Sequence, residues 1–228
     1  MQFETVIGIE VHAQLKTNSK IFCLSPGIKE VYSRAGVTDE RLQVIPNGVR
    51  TDLFRFEKNC KYGDRTIYLA KIDPRKRQSI YQNIENLYFA GNCVDPQFNI
   101  NSDRYLGEWT KETLYSNLTD YANLALLSDG EAHPLVCLEA LSSGLGLVLS
   151  ECATANLDLS KEFIDVIPEK KINDISYVAE ILNKNRHKSI LHRQLIREYA
   201  KSFDWNKIIK DIYLKAIFEN DPRDKTTW

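Results

Sequence analysis

The chain has 228 residues, 43% apolar and 27% charged, which leaves room for one large domain or two small ones and excludes both a disordered tail and a membrane bundle. Lys and Arg number 30 against 31 Asp and Glu, a formal net charge of -1 that argues against neutralising phosphate backbones, so no nucleic-acid partner is expected. Cys23, Cys60, Cys93, Cys137 and Cys152 are odd in number and show no C-x-x-C spacing, unlike a disulfide framework or a zinc site. With no N-terminal apolar h-region and no apolar run of about 20 residues, a reducing cytoplasmic location is the expectation.

In chain order, short apolar runs predict strands at Leu42 to Ile45, Thr66 to Ala70, Asn86 to Ala90, Asn123 to Leu127, Leu145 to Ser150 and Phe163 to Ile167. Helical patterns lie at Glu112 to Leu118, Pro134 to Ser143, and almost throughout Ile175 to Phe218. Asp204 stands as N-cap of the closing amphipathic run Ile208 to Ile217. Strand and helix alternating at this spacing predict an α/β fold, a mostly parallel sheet with helices on both faces and a helical C-terminal end. Val94 to Ser116 is polar and reads as a surface excursion, and Glu219 to Trp228 reads as a frayed tail. Glu85 to Gly91 looks like a protease recognition string, but it falls where a strand is due and reads as native.

Ser128 to Glu151 carries the strongest chemical pattern. Glu131 and Glu139 are separated by seven residues, with Pro134 suited to the first turn of a helix between them. A loop-to-helix entrance presents unpaired N–H groups and a positive dipole end to an anionic or hydroxyl-rich ligand. Two acceptor-only carboxylates flanking it suit ligand hydroxyls better than phosphate, so together they describe a site for a molecule bearing both. Taken alone, two glutamates near a helix also describe an ordinary solvated surface.

Five motifs occur in a family's order. They are Ile45-Pro46-Asn47-Gly48-Val49; the strand Tyr68-Leu69-Ala70-Lys71 followed by Pro74-Arg75-Lys76; Phe89-Ala90-Gly91; Glu131 with Glu139; and Phe203-Asp204-Trp205. From Cys23 to Phe218 the chain thereby resembles the C-terminal, nucleotide-sugar-binding half of retaining GT-B glycosyltransferases of the group 1, or family four, type. The resemblance implies a Rossmann-like domain over 23–218 that binds a nucleotide-diphosphate sugar such as a UDP- or GDP-hexose, with no other cofactor. It implies a hexosyltransferase whose N-terminal acceptor-binding domain is missing, leaving the isolated domain with reduced or no turnover. Peripheral membrane association would come only through that missing half. Met1 to Phe22, in contrast, resembles the N-terminus of the aspartyl/glutamyl-tRNA amidotransferase B subunit and is set aside as a fused leader.

Carried over position by position, the resemblance gives Lys71 and Lys76 the donor diphosphate, where they would neutralise the leaving group. It gives Glu131 the transferred sugar and Glu139 the ribose hydroxyls. Backbone N–H groups of Ala132, His133, Leu135 and Val136 would cradle sugar and phosphate oxygens, and Asn92, Cys93 and Val94 would pack against the base. His133 is read as shaping the pocket rather than as a base. No Asp-x-Asp is present, so no metal is expected and the lysines supply the positive charge instead.

The chain also departs from the family. Lys71 replaces an arginine and loses its bidentate fork, Ala70 replaces a glycine, and Arg77 stands where a glycine often follows the lysine. Ala132 and His133 replace a Gly-aromatic pair, and Leu145-Gly146 replaces Thr-Pro. These changes keep two other readings open: a non-catalytic interaction or regulatory module on a degenerate GT-B fold, and a nucleotide-sugar epimerase on the same architecture.

Overall fold

The computed structural model describes residues 20–215. The leader expected over residues 1–22 lies outside them except for its last three residues, and the tail expected over 219–228 lies outside entirely. The chain divides into two compact units, one holding residues up to Pro46 and from Ile209, the other running from Asn47 to Ile208. The span 23–218, read from sequence as one domain, is therefore split at both ends.

In the first unit, β1 (Ile21–Cys23) and β2 (Leu42–Val44) pair in parallel, joined by α1 (Pro26–Arg34). Ser25 caps α1 by accepting from the Ile28 amide, and Pro26 follows at a position where a missing N–H costs nothing. Ile21, Cys23, Val37 and Leu42 form its small core, with Ile28 and Tyr32 against them. The boundary expected after Phe22 thus falls inside a strand.

The second unit is built on β3 (Tyr62–Leu69), β4 (Leu87–Ala90), β5 (Tyr121–Leu126), β6 (Gly146–Ser150) and β7 (Ile164–Ile167). All pairings are parallel, in the spatial order β4-β3-β5-β6-β7. Every residue of β5 and β6 is buried, which explains their unbroken apolar runs. β3 starts earlier than its apolar run suggests, because Tyr62 pairs with Tyr121 across a register shift before the regular ladder begins at Thr66.

Beyond the short α2 (Gln78–Tyr81), this unit carries α3 (Lys111–Asn117), α4 (Leu135–Ser142), α5 (Ile175–Ala200) and α6 (Trp205–Ile208). Asp174 caps α5 through the Tyr177 amide. Asp204 caps α6 as expected, accepting from the Asn206 amide and from the Thr51 hydroxyl at 2.6 Å. The closing run is not one α-helix, however: residues 209–213 form a π-type turn.

The inward stripe of α5 is half polar. Its buried positions include Asn185, Arg186, Ser189 and Arg193 beside Val178, Leu182, Ile196 and Ala200. Asn185 bonds Asn123 and the carbonyls of Leu147 and Phe163; Ser189 accepts from the Gly146 amide and donates to Ala122. Arg193, 2% exposed, donates to the carbonyls of Glu57, Thr119, Tyr121 and Ser143 and to the Thr119 hydroxyl. Each of these buried donors finds an acceptor, the condition for tolerating such groups in a core. Among the described residues no helix is long and apolar enough to cross a membrane.

Candidate functional site

The strand order places a reversal between β3 and β5, since the chain runs outward from β3 to β4 and then returns to its other side. In open parallel sheets the crevice beyond the carboxyl ends of strands at such a switch point is where ligands bind. The loops leaving β3 and β5 are those that carry Lys71, Lys76 and Glu131.

Beyond β3 the chain makes a tight turn, Pro74–Lys76, capped by the Asp73 side chain, which accepts from the Lys76 amide at 3.0 Å. The buried Tyr68 hydroxyl donates to the Lys76 carbonyl at 2.5 Å and accepts from the Leu127 amide at 2.8 Å, linking the β3 turn to the end of β5. Burial lifts the Tyr68 phenol far above its ordinary value, so it stays a donor. The Asp129 amide donates to the Arg75 carbonyl at 2.9 Å, adding a second link.

Held this way, Lys76 Nζ and Glu131 Oε1 form an ion pair, with side chains 12% and 13% exposed. Arg75 Nη1 lies 3.7 Å from the same carboxylate oxygen. The Glu131 amide is fixed separately, donating to the Cys152 carbonyl at 3.2 Å. Lys71 is not part of this cluster. Its side chain is exposed with no ion-pair partner among the described residues, and its carbonyl accepts from Gln78 Nε2 at 2.9 Å.

Asn92, Cys93 and Val94 run alongside the same turn. The Ile72 amide donates to the Asn92 carbonyl, Ile72 bridges Cys93, and the Val94 amide donates to the Ile72 carbonyl at 2.9 Å. Gly91 makes this approach possible: at φ 143°, an added Cβ would lie 2.0 Å from the Ala70 carbonyl oxygen. The loop of Asn92 to Val94 and the segment around Lys71 are thereby neighbours through their backbones.

At the head of α4, Pro134 occupies the N-cap position rather than the first turn, and no side chain caps the helix, so its first N–H groups stay open. Ala132 is half-buried, Leu135 is exposed and Val136 half-buried. His133 is 5% exposed. Its Nδ1 accepts from the Asn47 amide at 2.9 Å, and its carbonyl accepts from Asn47 Nδ2 at 3.1 Å. Burial lowers the imidazole to about 4, so the ring is neutral at pH 7 with its proton on Nε2. That Nε2 has no hydrogen-bond partner among the described residues. The ring and its backbone tie this loop to Asn47.

Glu139 faces a different space. It lines a cleft of about 380 Å³ with Asn47, Gly48, Lys111, Tyr115 and Trp205, and with Leu135 one turn earlier on α4. Burial raises its carboxyl, with Lys111 opposing. The two glutamates therefore stand in different surroundings, Glu131 paired with Lys76 at the lysine turn and Glu139 in the cleft. Asn47, Asp73, Arg75 and Tyr68 lie within or beside the motifs noted in the sequence but were given no role there; the Asp-Pro pair before the turn was a usable capping signal, whereas the Asn47 contact spans 86 positions. Among the described residues no group of three His, Cys, Asp or Glu side chains is placed to hold a metal ion.

The GatB/GatE catalytic domain family matches residues 5–46, beyond the 22-residue leader read from sequence. The aspartyl/glutamyl-tRNA(Asn/Gln) amidotransferase B subunit of Desulfotalea psychrophila is 83% identical over 23 residues, 10% of this chain and 5% of that protein. The Bacillus cytotoxicus protein is 73% identical over 26 residues, 11% and 6% respectively. Solved structures resemble nearly the whole chain. HepE of Anabaena in complex with UDP superposes with a TM-score of 0.71 at 16% identity, over 92% of this chain and 66% of its own. Lipopolysaccharide outer core galactosyltransferase WaaB gives 0.67 at 18%, over 88% and 62%. Sucrose-phosphate synthase from Thermosynechococcus elongatus gives 0.67 at 19%, over 95% and 62%. The chain spans just under two thirds of these structures and a few per cent of the amidotransferase proteins. The parallel α/β sheet with its helical end has the fold of one half of a GT-B glycosyltransferase.

Proposed function

We propose that this chain is the donor-binding half of a glycosyltransferase that takes a hexose from a nucleotide-diphosphate sugar, retains the anomeric configuration, and works without a metal. The observation that carries the reading is the meeting of Lys76 and Glu131 at the switch point, with Lys71, which has no ion-pair partner among the described residues, at the start of the same β3 loop. A diphosphate entering this crevice would take Lys71 directly and draw Lys76 from Glu131, freeing that carboxylate for a sugar hydroxyl. The open N–H groups at the start of α4 would add neutral donors to the same oxygens. Glu139, in its cleft beside Tyr115 and Lys111, would accept from the two ribose hydroxyls. HepE, solved in complex with UDP-glucose, has the same fold and supports a donor of this class. The acceptor would come from a further domain, and any membrane contact from that domain too.

Calorimetric titration of UDP, GDP and dTDP against the wild type and Glu139→Ala tests the reading. Binding of one diphosphate by the wild type and its loss in the variant is expected; equal binding by both would refute the ribose role. EDTA should leave the titration unchanged, and a metal requirement would remove the lysine-based account.

One observation favours a second reading, a non-catalytic module. Lys76 already has its counter-charge in Glu131, so this cation is not open to an incoming diphosphate. That reading predicts no nucleotide binding even when an acceptor domain is supplied.

A further inference from the structure

Arg77 is a non-glycine residue in the left-handed region, φ 60° and ψ 16°, between the lysine turn and α2. A Cβ disfavours that conformation, so something must hold the residue there. Its side chain is only 13% exposed and ends in a forked contact with Glu169: Nη2 to Oε1 at 2.7 Å and Nη1 to Oε2 at 3.3 Å. Nη2 also lies 3.2 Å from Asp129 Oδ1.

The three residues belong to three loops. Arg77 adjoins Lys76 after β3, Asp129 stands two residues before Glu131 after β5, and Glu169 opens the short turn after β7. One guanidinium therefore joins the carboxyl-end loops of β3, β5 and β7, and a planar fork is suited to holding two carboxylates at fixed angles. Arg75 links only the first two loops.

We propose that Arg77 is a positioning residue: it fixes the separation of the loops that carry Lys76 and Glu131, so that a diphosphate and its sugar meet both at once. The proposal rests on the donor-binding reading for its ligand. The tether is a property of the free protein.

Two backbone reporters sit in the tethered loop, the Asp129 and Glu131 amides, each bonded to a neighbouring segment. Hydrogen exchange across residues 128–133 should be compared in wild type, Arg77→Gly, Arg77→Lys and Glu169→Gln, each then titrated with UDP and GDP. Glycine fits the left-handed position better than arginine, so loss of fold is not expected, and unchanged exchange in β5 and β6 would verify that. The tether predicts at least tenfold faster exchange at 128–133 in Arg77→Gly and Glu169→Gln, with diphosphate affinity at least fivefold weaker. Arg77→Lys should restore part of both, and the Arg77→Gly, Glu169→Gln double variant should be no worse than either alone. Unchanged exchange in both single variants overturns the tether. Faster exchange with unaltered affinity overturns the positioning role. A wild type that binds neither diphosphate removes the donor reading, and with it the positioning role, while the exchange comparison still decides the tether.

Discussion

Lys76 and Glu131 close an ion pair across the gap between the β3 and β5 loops, with both side chains nearly buried. Such a pair gives little net stability, because desolvation offsets the attraction, yet removing one partner strands the other charge. Lys76→Ala and Glu131→Gln should each lower unfolding free energy by about 2 kcal/mol, with a coupling of about 1–2 kcal/mol in the double-mutant cycle. The two should part company in binding. Lys76→Ala should weaken UDP or GDP at least tenfold, whereas Glu131→Gln frees the ammonium and should leave affinity equal or higher. Isothermal titration of both variants checks this; parallel losses would mean the pair does not compete with the diphosphate.

His133 makes stability depend on pH. Its folded value near 4 lies below the unfolded value of about 6.5, so the unfolded chain binds the extra proton between them. The contribution is complete above pH 6.5 and is lost as pH falls towards 4, by about 2 kcal/mol once solvent relaxation is allowed for. His133→Asn keeps an acceptor for the Asn47 amide without titrating there. Urea unfolding from pH 4.5 to 7.5 should show a slope in the wild type that flattens in the variant.

How much of this was legible from sequence follows from the range of each interaction. β5 and β6 were readable because strands buried on both faces need unbroken apolar runs, and α4 because Pro134 and Gly144 bracket it. The first residues of β3 were not, since Tyr62 pairs ahead of a register shift and the regular ladder starts only at Thr66, leaving no alternating pattern before it. Glu131 and Glu139 stood out by their spacing and the lysines only through the family resemblance, but the placing of the two glutamates in different surroundings was not legible. That placing depends on which way α4 turns its face, and on Asn47 reaching His133 from a distant loop. Arg193 was invisible because a buried arginine inside a helix resembles any surface arginine until its carbonyl partners are known.

Arg193 should be among the least replaceable residues. Its guanidinium serves four carbonyls from three stretches of chain, and an ammonium has too few N–H groups and the wrong geometry for them. Both Arg193→Lys and Arg193→Met should lower stability by about 3 kcal/mol, the methionine by leaving carbonyls unpaired. Thermal melts would show whether lysine rescues; full rescue would mean charge alone matters.

Glu139 gives a chemical test independent of overall affinity. If its carboxylate accepts from ribose hydroxyls, wild type should prefer UDP over 2′-deoxy-UDP by about tenfold, the effect of one charge-assisted hydrogen bond. In Glu139→Gln the preference should fall to about twofold or less. Competition binding with the two nucleotides measures the ratio, and an unchanged ratio would reassign Glu139 to the cleft alone.

The polar stripe of α5 has a mechanical consequence. Asn185, Ser189 and Arg193 each engage fixed backbone atoms of the sheet or its flanking loops, about one helical turn apart. Sliding the helix by one turn would bring each side chain opposite its neighbour's acceptors, with different lengths and chemistry. Leucines could accept such a slip, but this set cannot. The helix is keyed along its axis, so any adjustment of the crevice must come from the loops at the strand ends while the sheet and α5 move as one piece.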